Sequence, residues 1–175
     1  MALRPGISSR DHIQGNPDAF IELVKYGDYQ CPHCARAFLV VVNLESELNG
    51  NLKFVFRNFP LAKIHPEAVI AAIAAEAAAL QGMFWEMHDL IFENQDELSR
   101  EMLLEVAASL DLDMEQFATD LASEQLAERV DSDFESGIRS GVNATPTFFI
   151  NGEKYNLGWE ADRMLIYMRD KGMLS

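Results

Sequence analysis

The chain has 175 residues, 49% of them hydrophobic, which is enough for one domain with a substantial core and too apolar for a disordered segment. Asp and Glu number 28 against 14 Lys and Arg, giving a net charge of −14, and this excludes a nucleic-acid partner because the sequence offers no basic face for a phosphate backbone. The excess is local: between Glu86 and Glu135 there are 16 acidic residues and only 2 basic ones, Arg100 and Arg129, a pattern of solvated helix faces or of a surface that steers basic partners.

Residues 1–18 are polar and rich in turn formers, so a loose arm is expected there. They contain no apolar run of the kind a secretory leader requires, which points to a cytoplasmic address, with an exported protein trimmed of its leader as the alternative. Phe20 to Tyr26 (FIELVKY) has strand composition and is broken by Gly27-Asp28. From Cys34 onward Phe38, Val41, Val42, Glu45 and Leu48 follow helical spacing until Asn49-Gly50-Asn51, which places Cys31 at a helix N-terminus. Leu52 to Phe59 (LKFVFRNF) is a second strand ended by Pro60, and strand, helix, strand predicts a parallel βαβ unit.

An Ala-rich helix follows from His65-Pro66 through Leu80, then a helix over Met83 to Phe92. The Ala-rich stretch is too short for a membrane span and carries Glu76, so no span is expected. Ser99 is placed to cap a helix bearing Met102, Leu103, Val106 and Leu110, and Asp113 with Gln116 has the form of a capping box. Ser123 opens a longer helix whose Leu126, Val130, Phe134 and Ile138 form an apolar stripe, with Gly141 as its stop. Thr147 to Ile150, the turn Asn151-Gly152 and Glu153 to Tyr155 read as a hairpin, and a last helix runs from about Glu160 to Lys171. The order βαβ, helical block, ββα is an α/β thioredoxin fold: residues 19–64 and 139–175 form the thioredoxin-like part, and 65–138 an inserted helical subdomain.

Two cysteines, Cys31 and Cys34, are all the chain has, and a pair three residues apart makes a poor staple in a protein with a core of its own. At a helix start, Cys31 would present its sulfur to unpaired N–H groups and the positive end of the helix dipole, which favours the thiolate, while Cys34 lies one turn inside. This makes Cys31 the nucleophile and Cys34 the resolving thiol. Pro32 suits the first helical turn, and His33 would favour a neighbouring thiolate; both stabilise the reduced form and so make the disulfide a better oxidant. A zinc half-site is the bland alternative, but His12, His65 and His88 show no ligand spacing, so no metal and no other cofactor is assigned. Thr145-Pro146 before a strand can be an ordinary turn, but the resemblance of the element order to a thioredoxin fold implies a cis proline abutting the pair here, which would leave the Thr145 backbone open to an extended peptide.

Cys31-Pro32-His33-Cys34, the later Thr145-Pro146-Thr147 and the helical block between them resemble the DsbA family, in particular its smaller bacterial thioredoxin-like branch. Tyr26-Gly27-Asp28-Tyr29-Gln30, Phe56-Arg57-Asn58-Phe59-Pro60-Leu61, Phe84-Trp85-Glu86-Met87-His88-Asp89-Leu90 and Phe149-Ile150-Asn151-Gly152 extend the resemblance over roughly Asn16 to Lys171. The resemblance implies exchange of disulfides with protein or peptide thiols and a separate redox partner, without a bound cofactor, in a monomer or weak dimer. One departure concerns Lys25, on the Ile21 and Leu23 side of its strand, where relatives usually carry a carboxylate. Buried there, it would stabilise the Cys31 thiolate or, when neutral, act as base for Cys34; the alternative is a lysine reaching solvent from the strand end. A peptide-binding module or holdase, or a metal-binding protein, with incidental cysteines is the competing reading.

Overall fold

The computed structural model describes residues 1–174. One five-stranded sheet has the order β1-β3-β2-β4-β5, formed by β1 His12–Gly15, β2 Ile21–Gly27, β3 Leu52–Asn58, β4 Thr147–Ile150 and β5 Glu153–Tyr155. β2 and β3 are parallel and joined through α1 (Pro32–Leu48), while every other pairing is antiparallel. Because side chains alternate across a strand, each central strand serves two cores. Ile21, Leu23, Phe54, Phe56, Phe148 and Ile150 join the buried side of α1 in the larger core, whereas Val24, Tyr26, Val55 and Phe149 pack with Leu3, Phe59 and Val142 in the smaller one. Lys25 falls on the face of Ile21 and Leu23, and this parity carries it beneath the cysteines.

Five helices stand between β3 and β4: α2 Ala68–Leu80, α3 Phe84–Glu93, α4 Arg100–Ser109, α5 Met114–Leu121 and α6 Glu124–Arg139. α2 packs against the other four, which its short alanine side chains permit by letting neighbouring helices approach. α7 (Ala161–Asp170) closes the chain and packs on α1 through a face that includes Met164 and Met168. The hydroxyls of Ser99 and Ser123 and the carboxylate of Asp113 accept backbone N–H groups of Met102, Leu126 and Gln116, each a cap of about 1 kcal/mol. The expected capping box is only half made, because the Gln116 amide reaches forward to Asp120 and the Asp113 N–H donates to Gln81.

Three expectations need correction. The segment 1–18 is tied down: His12 to Gly15 form an edge strand on β3, and the Leu3 N–H donates to Gly152 O at 2.8 Å. The Arg57 guanidinium grips the rest, donating to both Asp11 carboxylate oxygens (2.8 and 3.0 Å), Pro5 O (3.0 Å) and Gly6 O (3.1 Å). The stripe on α6 is shorter than its spacing suggests: Leu126 and Val130 are buried and Phe134 stacks on Phe59, but Ile138 is exposed. The Ala-rich helix also begins later, at Ala68, since His65 turns its ring to Asp28.

Candidate redox site

β2 delivers the chain to the site. Gly27 ends that strand beneath the Phe56 ring, where a Cβ would lie 2.5 Å from a ring carbon, so only glycine passes. Asp28 then organises the turn. Its carboxylate accepts the N–H groups of Gln30 (2.8 Å) and Leu61 (2.9 Å) and pairs with His65 Nδ1 at 2.7 Å; its own N–H donates to Cys34 Sγ at 3.4 Å. Cys31 is the N-cap of α1, in extended backbone geometry, and its carbonyl accepts the N–H groups of Cys34 and Ala35 at 3.0 and 3.2 Å. Pro32 is the first helical residue, where its missing N–H costs nothing.

Both cysteines are free and buried, Cys34 completely. The two thiols divide a single proton unequally. The hydrogen bond from Cys34 is the main influence drawing the Cys31 pKa down to about 5; burial opposes it, and Thr145 with the backbone N–H groups of Cys34 and His33 assists. Cys34 is pushed well above the ordinary thiol value, chiefly by burial and then by that same bond, with Lys25 opposing. The Cys31 sulfur lies 3.6 Å from Thr145 O, and the Thr145–Pro146 peptide is cis.

Lys25 is fully buried, not at the solvent edge. Its ammonium donates to Cys34 O at 3.0 Å and sits 4.5 Å from the centre of the Phe92 ring. Burial lowers its pKa to about 8, partly offset by Cys34 and then Cys31. Cys31, Cys34, Lys25, Thr145 and Pro146 are thus brought together. His33 stands apart: its ring is exposed and accepts from Arg36, so only its backbone N–H serves the sulfur. Each remaining histidine pairs with a carboxylate: His12 with Glu76, His65 with Asp28, His88 with Asp89.

Two contributors were not singled out from the sequence. Asp28 is one. The other is Gln95, in the 3-10 turn Gln95–Glu97 after α3, whose amide donates to Tyr29 O (2.7 Å) and Cys31 O (2.9 Å). It ties the helical block to the redox turn. No local pattern marks a glutamine for this task, since both its partners are backbone atoms 64 and 66 residues away.

A thioredoxin fold with two free cysteines at the head of its first helix, the pKa of the first drawn down and that of the second pushed up, defines a dithiol protein of DsbA-like layout. The chain belongs to the thioredoxin family, whose model matches residues 8–167. Among solved structures, oxidised BdbD from Bacillus subtilis shares this fold at a TM-score of 0.85 and 23% identity, over 97% of this chain and 96% of that one. Alpha-DsbA1 from Wolbachia pipientis does so at 0.80 and 20%, over 94% and 92%. Curated relatives include the Na(+)/H(+) antiporter NhaA 1 of Mycolicibacterium gilvum, 41% identical over 93% of this chain and 27% of its own length. That of Salinispora arenicola is 44% identical over 84% of this chain and 22% of its own length. The chain therefore spans about a quarter of the curated relatives it matches. No helix among the described residues is long and apolar enough to cross a membrane.

Proposed function

We propose that the chain exchanges disulfides with protein or peptide substrates through the Cys31–Cys34 pair. The observation that carries this reading is the unequal pair: Cys31 caps the helix with its sulfur 3.6 Å from Thr145 O and its pKa drawn down, while Cys34 lies completely buried one turn inside with its pKa pushed up. In the reducing direction the Cys31 thiolate attacks a substrate disulfide, one substrate sulfur leaves as thiolate, and a mixed disulfide forms at Cys31. Cys34 then loses its proton and attacks the Cys31 sulfur, releasing the second substrate sulfur; two electrons have passed to the substrate. Oxidation of a substrate dithiol is the same path reversed, and the partner's potential sets the direction.

In this reading Thr145, whose carbonyl stands 3.6 Å from the Cys31 sulfur, aligns the substrate backbone, and Pro146 shapes that wall. Pro32 fixes the first turn and the backbone of His33 supports the thiolate. Lys25 tunes the pair from below. A cytoplasmic address belongs to the same proposal, and fractionation of the native host tests it.

Cys31→Ser should abolish both insulin reduction and the oxidative refolding of a reduced substrate. Unaltered activity in both assays would favour a peptide-binding module with incidental cysteines.

A further inference from the structure

Below the pair lies a small cavity of about 20 Å³, lined among others by Gln14 of β1, Lys25 of β2, Glu45 of α1 and His88 and Asp89 of α3. A space of that size holds one water when polar groups surround it. His88 is 2% exposed, its Nδ1 pairs with Asp89 at 2.8 Å, and its Nε2 has no hydrogen-bond partner. With Nδ1 donating to Asp89, Nε2 is an acceptor with unmet need beside this cavity. Lys25 has one hydrogen bond, to Cys34 O, for three ammonium protons, the others meeting aromatic faces and the cavity. Glu45 is half-buried at the cavity and so touches both it and solvent.

We propose that Lys25 gains a proton when the pair is reduced and loses it when the disulfide forms, with the cavity between His88 and Glu45 as its route to solvent. This rests on the redox reading above and deepens it. Cys31 and Cys34 at the head of α1 and His88 of α3 are the titratable groups coupled to Lys25; Glu45 of α1 and Asp89 of α3 line the cavity with it, Tyr29 packs on the same Phe56 and Phe92 rings, and the neighbouring strands β3 and β4 offer it Phe54, Phe56 and Phe148. In the reduced protein the Cys31 thiolate supports the buried ammonium. Attack on a substrate disulfide consumes that charge, and an ammonium without a counter-ion is disfavoured at this depth. It passes a proton through the cavity to Glu45, whose pKa burial and Asp89 raise to about 7, and thence to bulk water. The neutral amine then takes the Cys34 proton as that sulfur attacks Cys31, and releases it by the same route. Two electrons have left the pair, and two protons have left the protein, one from Cys34 and one from Lys25. His88, whose pKa burial lowers to about 4, stays neutral and orients the water through Nε2.

Proton counting tests this. Dithiothreitol reducing the disulfide form gives up two electrons and two protons. With Cys31 ionised, Cys34 recovers one of these, and Lys25 the other. In weakly buffered solution at neutral pH the wild type should therefore release well under one proton per molecule, and Lys25→Met, or Lys25→Gln should methionine not be tolerated, close to one. Glu45→Gln should slow the release of a preformed mixed disulfide several-fold near neutrality. One proton released by the wild type, or equal counts in wild type and variant, overturns the role of Lys25; an unchanged rate in Glu45→Gln overturns the route. Failure to exchange with dithiothreitol, or a Cys31 without thiolate absorbance in the same sample, would instead strike the redox reading itself.

Discussion

Replacing Cys31 by serine removes a group whose ionisation should make the reduced fold pH-dependent. The thiol ionises near 9.0 when unperturbed and near 5 in the fold, so the folded state favours the anion. For an acid with a depressed folded value the stabilisation is complete above the unfolded pKa, shrinks as pH falls below it, and is gone once pH passes the folded one. The slope between these limits is about 1.4 kcal/mol per pH unit, which gives about 5 kcal/mol in full and about 3 kcal/mol at neutral pH. Urea unfolding of reduced Lys25→Met and reduced Lys25→Met/Cys31→Ser, from about pH 5 to about pH 7, reads the effect without the buried amine, whose own protonation responds to the Cys31 thiolate. The difference in unfolding free energy should widen with pH at that slope. A difference that stays constant would mean that Cys31 keeps its proton in the fold, and the account of the site would be refuted.

Gln95→Leu strips hydrogen bonds from Tyr29 O and Cys31 O; a loss of about 1–3 kcal/mol is expected in denaturant unfolding, together with an altered rate of Cys31 alkylation. Gly137→Ala would drive a Cβ to 2.6 Å from the Phe59 ring and 3.1 Å from that of Tyr26, so α6 must shift from the sheet; about 1–3 kcal/mol should be lost, read as a lowered urea midpoint. Glu76→Ala leaves Asn58 Nδ2, His12 and Arg129 short of a buried acceptor, and about 3–5 kcal/mol should disappear from the unfolding free energy.

Much of this fold is written in local signals. Serine at 99 and 123 and aspartate at 113 sit where caps must be, and Asn151-Gly152 turns β4 into β5, because these residue types satisfy their own neighbours. The face that Lys25 takes is legible too, since strand parity puts it with Ile21 and Leu23, but its burial is not, because a lysine near a strand end can equally reach solvent. What escaped depends on distant partners. His12 to Gly15 has no strand composition and becomes a strand only because β3 offers an unpaired edge and Arg57 anchors Asp11 and the backbone before it. Ile138 follows a perfect four-residue spacing yet faces solvent, because each four-residue step overshoots a 3.6-residue turn by about 40°, and by this point the buried face has passed to Asp133, Gly137 and Ser140. His33 was assigned through its ring and serves through its backbone, because Arg36, one turn on, captures the imidazole. Gln95 acts on main-chain atoms alone and Asp28 on two backbone N–H groups besides His65, a role that leaves no mark in residue type.

Trapping the covalent intermediate bears most directly on the chemistry. Cys34→Ser, mixed with a disulfide-containing peptide and quenched with acid, should carry that peptide in a single disulfide at Cys31, located by mass spectrometry of the digest. The matching Cys31→Ser protein should carry far less, because the remaining sulfur is fully buried. Adducts of equal yield on both variants, or none on either, would contradict a nucleophile at the helix head backed by a deeper resolving thiol.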